Sequence, residues 1–178
     1  MPLSLALLIL LAAVWAVFAA SFLAHELGHA CAARCLGYEA GGIDVGVGPG
    51  IKPRKVTFRA LPIQASVQIL GEPTGWHASA IALAGPAASM LLGSILLLLG
   101  AAPGLLHGLL QGVAGLNISI GLFNLLPVPP LDGWRAIEPL VFYKLGKPNH
   151  RQQIFMHKAG FAFLGASGII YLALRGIG

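Results

Sequence analysis

The stretch Leu3–Leu36, LSLALLILLAAVWAVFAASFLAHELGHACAARCL, holds no proline and no charge before Glu26. A bilayer core is crossed by about 20 apolar residues in helical conformation. The stretch therefore reads as one spanning helix, 3–36, that runs past the membrane face and stops where Arg34 is followed by Gly37. A cleaved signal peptide is the competing reading, because small residues such as Ala19, Ala20 and Ser21 follow the apolar run. No basic residue precedes that run, and it continues unbroken into His25 and Glu26, which favours the span.

Working outward, the whole chain shares this character. Of its 178 residues 57% are hydrophobic and 10% charged, against about a quarter charged in soluble domains. Lipid is thus the expected solvent, and the expected architecture is an all-α polytopic membrane protein forming a single membrane-embedded domain, 1–178. About four spans fit this length: 3–36, 77–100, 105–126 and 159–174. In the second, Ala84-Gly85-Pro86-Ala87-Ala88-Ser89 offers the small side chains that let helix backbones approach, so it is expected to pack on the first. The third ends at Pro127, Pro129 and Pro130, through which a helix cannot continue.

The formal charge of +5 points to topology rather than to nucleic acid. Every Lys and Arg except Arg175 lies at the end of the first span, in the 37–75 segment or in 131–158. A four-span path puts all of these on one side, so the termini are expected outside and those loops in the cytoplasm of a prokaryotic plasma membrane.

Residues 37–75 are rich in Gly and Pro and belong outside the hydrocarbon. Within them Leu61, Ile63, Ala65, Val67 and Ile69 alternate with polar residues or Pro62, the period of a strand with one apolar face. A β-hairpin over about 52–70 is expected, with Val56–Arg59 as the partner strand.

His25-Glu26-Leu27-Gly28-His29 puts two imidazoles at i and i+4 on one helix face with a carboxylate beside them, the spacing of a metallohydrolase. Ionisable residues inside an apolar helix cost on the order of 2.5–3.5 kcal/mol each even on the mildest scale, which makes an accidental trio rare. A catalytic zinc site takes three protein ligands and leaves a fourth position for water. Asp132 is the candidate third ligand, since the broken segment Asn124–Gly133 can turn inward; a helix cap at Asp132 is the alternative. Asn124, at the end of the third span, carries an amide that can bond a neighbouring helix. Cys31 and Cys35, one turn apart, read as small packing residues. His77, His107, His150 and His157 have no partner at ligand spacing and suit interface or packing roles.

A membrane-embedded His-Glu-x-x-His, a later Asn-x-x-Pro leading to Asp132-Gly133, and the Gly-Pro segment between them resemble the site-2 protease family of intramembrane zinc metalloproteases, peptidase family M50, over roughly residues 10–140. The resemblance implies that His25, His29 and Asp132 bind one Zn2+, that Glu26 is the catalytic acid/base, and that Asn124 helps to hold the substrate. It further implies an edge strand that receives the substrate, here 61–69. The expected form is minimal, without the PDZ or CBS domain of other branches. The partners it implies are a lipid bilayer and a transmembrane protein substrate, such as an anti-sigma factor or signal-peptide remnant, cleaved near the cytoplasmic face. A non-enzymatic metal-binding scaffold and a small cation transporter are the rival readings. The scaffold has no need of Glu26, and the transporter would be expected to show an inverted repeat.

Overall fold

The computed structural model describes residues 3–101, 103, 104, 106–146 and 148–175; the side chains of Leu3, Lys144 and 170–175 are not described. Five helices and a two-stranded antiparallel sheet follow one another in the order α1 (Leu3–Cys35), β1 (Glu39–Ile51), β2 (Val56–Leu70), α2 (Trp76–Leu99), α3 (His107–Asn124), α4 (Asp132–Leu145) and α5 (His150–Arg175). Among the described residues α1 and α2 are long and apolar enough to cross a membrane. Leu7, Leu8, Leu10 and Leu11 of α1 are all more than half exposed, as residues that face lipid are.

The expected first and second spans coincide with α1 and α2 to within a residue at each end. The third, 105–126, corresponds to the shorter α3, and its first position lies outside the described residues. The fourth, 159–174, is the carboxy-terminal part of a longer α5. The basic and aromatic stretch before it contains α4, whose Pro139 lies inside the helix.

Helices α1 and α2 pack as the small residues demand. A Cβ on Gly28 would lie 2.7 Å from the Ala88 Cβ, and one on Gly121 of α3 would lie 2.6 Å from the Met90 Cγ. Glycine at both crossings lets the backbones come together, which in lipid replaces the missing hydrophobic drive between helices.

The sheet departs from expectation. Val56–Arg59 and Leu61–Ile69 are not partners; both belong to β2 and both pair with β1. Ile43, Asp44 and Val45 face Val67, Ser66 and Ala65 across one edge and Val56, Thr57 and Phe58 across the other. The physical reason is length: Ala60 alone separates the two segments, and a hairpin needs a loop of at least about two residues. β1 reads as loop because it carries Gly41, Gly42, Gly46, Gly48 and Gly50, a composition that disfavours strands. Gly46 and Gly48 have φ of +97° and +90° at irregularities in the pairing, where glycine is the residue that fits.

The sheet docks on α1 through Ala19, Ile43 and Val45, with Trp15, Phe22, Phe58 and Val67 around them. The Trp15 indole Nε1–H donates to the Ala60 carbonyl at 2.9 Å, fixing the bend of β2 against the helix. Ala65 and Val67 of the alternating face join this core, whereas Leu61 and Ile63 stay 59% and 67% exposed.

Alanine at Gly46 and at Gly48 is expected to separate two effects. Both replacements force a side chain into positive φ, at a cost of about 1–2 kcal/mol. Gly46→Ala also drives its Cβ to 2.6 Å from the Leu61 carbonyl oxygen, while Gly48→Ala meets nothing closer than 3.8 Å. Thermal unfolding in detergent is expected to show the larger loss for Gly46→Ala; equal losses would remove the close packing of β1 on β2 as a source of stability.

Candidate metal centre

Three side chains from positions up to 107 residues apart meet in the interior. His25 and His29 lie on one face of α1, and Asp132 opens α4; all three are at most 7% exposed. His25 Nε2 is 2.9 Å and His29 Nε2 3.3 Å from the same Asp132 Oδ2. One ligand atom from each of the three lies within 4.8 Å of the others.

The other ring nitrogens show how this convergence is set. His29 Nδ1–H donates to the Ile81 carbonyl of α2 at 2.7 Å. That bond fixes the tautomer of a neutral imidazole and leaves a lone pair on Nε2. The lone pair then faces a carboxylate oxygen, acceptor against acceptor, an arrangement that a shared cation relieves. His25 Nδ1 is 2.9 Å from Ser89 Oγ, a hydroxyl able to donate or accept and so to serve either tautomer. Two imidazoles and one carboxylate are also a ligand set that zinc takes in catalytic sites. The residues present therefore fit a divalent cation.

Around this centre the backbone has been cleared. A Cβ at Gly85 would overlap the His29 ring, and one at Gly133 would overlap the Leu125 carbonyl. Gly85 thus lets α2 receive the imidazole, and Gly133 lets the Asp132 turn close on the end of α3. Ser79 Oγ–H donates to the Ala136 carbonyl at 2.6 Å and ties α4 to α2.

Glu26 is 7% exposed, and among the described residues its carboxylate has no hydrogen-bond partner. It faces a cavity of about 1270 Å³ that also takes in His25, His29, Asp132 and Asn124. The structure thus brings all five expected site residues to one cavity. Asn124 spends one amide hydrogen on the Ile120 carbonyl of its own helix at 2.9 Å, not on a neighbouring helix, and retains a second. Ile63–Val67 and Ile69 of β2 line the same cavity.

Several contributors went unread in the sequence. Ser89 and the Ile81 carbonyl had no signal beyond their place in the small-residue span. Arg135 sits three residues after Asp132, with Nη1 3.9 Å from its Oδ1. Cys31 and Cys35 are free and exposed on α1, so they are not the packing residues expected; their positions turn away from the buried His25 and His29. His77 and His107 take packing roles, His77 Nδ1 lying 3.0 Å from the Tyr38 hydroxyl and His107 Nδ1–H capping the Gly100 carbonyl at 2.7 Å.

The family model for peptidase family M50 matches residues 13–113 and 101–167. The chain belongs to this family, that of the site-2 proteases. A protein of Synechocystis named as a zinc metalloprotease is 33% identical over 139 residues, 73% of this chain and 31% of the relative. Rip3 of Mycobacterium tuberculosis, also named as a zinc metalloprotease, is 31% identical over 172 residues, 89% of this chain and 36% of the relative. The solved site-2 protease of Methanocaldococcus jannaschii superposes with a TM-score of 0.57 at 26% identity, over 90% of this chain and 65% of that one. The chain therefore spans about a third of the curated relatives it matches. As a member of this family with two such apolar helices, it is a membrane protein.

Removing the Ser89 hydroxyl is expected to loosen the metal centre without touching a ligand. Losing a partner of a ligating histidine typically costs about 10–100-fold in metal affinity. Titration of the metal-stripped protein with a divalent cation in detergent measures this for Ser89→Ala, and wild-type affinity in the variant would mean that Ser89 does not orient His25.

Proposed function

We propose that this protein is an intramembrane zinc metalloprotease that hydrolyses peptide bonds of transmembrane substrates near the cytoplasmic face, in regulated intramembrane proteolysis. The observation that carries the reading is the carboxylate of Glu26, unpartnered among the described residues, beside His25, His29 and Asp132 on one cavity. Metal binding alone has no use for a fourth, buried, unpartnered acid.

His25, His29 and Asp132 would hold the zinc. When bound, zinc supplies Lewis-acid polarisation of a carbonyl and brings the pKa of its water to about 7. Glu26 takes a proton from the attacking water and returns it to the leaving amine. Asn124 offers its remaining amide hydrogen to the substrate carbonyl. A helical substrate hides its peptide bonds in its own hydrogen bonds, so it must be held extended. The 63–69 stretch of β2 has an unpaired edge among the described residues and lines the same cavity, where strand addition would do this.

In this reading α1, α2, α3 and α5 span a plasma membrane with the termini outside, and the sheet and α4 lie towards the cytoplasm. The substrate is a single-span protein of the kind represented by anti-sigma factors or signal-peptide remnants.

Cleavage of a panel of reconstituted single-span substrates tests the chemistry. Glu26→Gln is expected to lower turnover by at least about 10²–10⁴-fold, the usual worth of a general acid–base, while retaining one equivalent of zinc; chelation is expected to abolish it. Wild-type-like cleavage by Glu26→Gln would refute the assignment.

Orientation has its own test. Cys35 closes α1 and is exposed. A membrane-impermeant maleimide is expected to label it in inside-out vesicles and not in intact cells, and the reverse pattern would invert the topology.

A further inference from the structure

The cavity face of α4 carries more than the metal ligand. Asp132, Arg135, Glu138 and Phe142 succeed one another at helical spacing and all line the cavity, as do Ile63–Val67 of β2. At about 1270 Å³ the space exceeds the range of about 300–1,000 Å³ typical of small-molecule pockets, and suits a length of polymer.

Arg135 is the one Lys or Arg among the described residues that line it. Its side chain is 64% exposed, and its sole ion pair among the described residues is the 3.9 Å approach to Asp132 Oδ1, too long for a hydrogen bond. Its guanidinium carries five donors and makes no side-chain hydrogen bond among the described residues. Glu138 is half-buried one turn further on, and it forms no ion pair among the described residues. Two opposite charges, neither in a close ion pair among the described residues, stand one turn apart on α4 in a cavity that β2 also lines.

Their spacing matches an extended peptide. Residues three apart on a helix have Cβ atoms about 5–6 Å apart. Alternate side chains of a strand, which share a face, recur at about 6.4–6.8 Å. A peptide laid along β2 would present every second side chain to α4, one near Arg135 and the next near Glu138.

We propose that Arg135 and Glu138 read the charge of the peptide held in the cavity, Arg135 pairing with an acidic side chain and Glu138 with a basic one two residues away. The proposal rests on the protease reading and adds to it a substrate class, peptides with opposite charges at alternate positions beside the cleaved bond. Arg135 acts here as a specificity-determining residue, separate from the reacting atoms.

The test is a charge swap. Each residue flanking the cleaved bond of one reconstituted substrate is made Glu, Gln or Lys in turn, and relative kcat/KM is read for the wild type, Arg135→Gln and Arg135→Glu. The wild type is expected to favour Glu over Gln by about tenfold at one position, the scale of one charge-assisted hydrogen bond. Arg135→Gln flattens that ranking and Arg135→Glu turns it towards Lys. An Arg135 whose role is merely to screen Asp132 would change all substrates alike and leave the ranking intact, which overturns the proposal. If Arg135→Glu does not yield folded protein, the Arg135→Gln ranking decides. Binding of the same substrates to Glu26→Gln, with and without Arg135→Gln, separates the two readings. Charge-dependent binding that Arg135→Gln abolishes, with no wild-type cleavage of any substrate, keeps the charge reading and removes the protease; wild-type cleavage with an unaltered ranking does the reverse.

Discussion

His29 Nε2 and Asp132 Oδ2 face each other at 3.3 Å with the proton of His29 committed to the Ile81 carbonyl. Two electron-rich atoms held together out of water repel unless something positive joins them. That constraint organises the molecule. It demands that α1, α2 and α4 meet at one point, that the carbonyl of Ile81 be aimed at an imidazole, and that Gly85 leave the ring room. It also makes the centre expensive to build in apolar surroundings, where a charge lacking its partner is strongly destabilising.

One helix carries both halves of the arrangement. The residues of α1 that seat the sheet, Trp15, Ala19 and Phe22, lie just ahead of His25, Glu26 and His29. Phe22 borders both the sheet core and the cavity. The strand wall and the metal ligands are therefore referenced to a single rigid element, so the distance from β2 to Glu26 does not depend on a flexible linker. Exposed Ile63, which lines the cavity from β2, is the counterpart of this placement, an apolar side chain left open beside the site.

What could be read in advance follows from the range of each signal. The convergence of His25 and His29 was legible because a trio of ionisable residues in an apolar helix is rarely accidental, and that of Asp132 because the proline break at Pro127–Pro130 frees the chain to turn inward. The spans α1 and α2 were legible by length and composition. β1 was not, since its glycines occupy bulges that pattern reasoning equates with loop, and the pairing of β2 went wrong because alternation marks a strand without naming its neighbour. Ser89 and the Ile81 carbonyl were hidden for another reason: a serine in a small-residue helix and a backbone oxygen have no distinguishing pattern, and only the rotation of α2 against α1 gives them a role.

That rotation needs its own explanation, because apolar helices in lipid have little to fix their axial register. On α1, Ser21, His25 and His29 follow at intervals of four, and each meets a polar partner. Ser21 Oγ accepts from Asn117 Nδ2 of α3 at 3.0 Å, His25 meets Ser89 of α2 at 2.9 Å, and His29 meets Ile81 of α2 at 2.7 Å. Ser21, Ser89 and Asn117 are each at most 2% exposed. A slide of one helix by a single turn, about 5.4 Å, would strand all three pairs in hydrocarbon at once. Asn117 illustrates the bargain: its Oδ1 has no donor among the described residues, yet Nδ2 bonds both Ser21 and the Val113 carbonyl. A buried acceptor left without a donor is tolerated where the same side chain sets the register on which the metal centre depends.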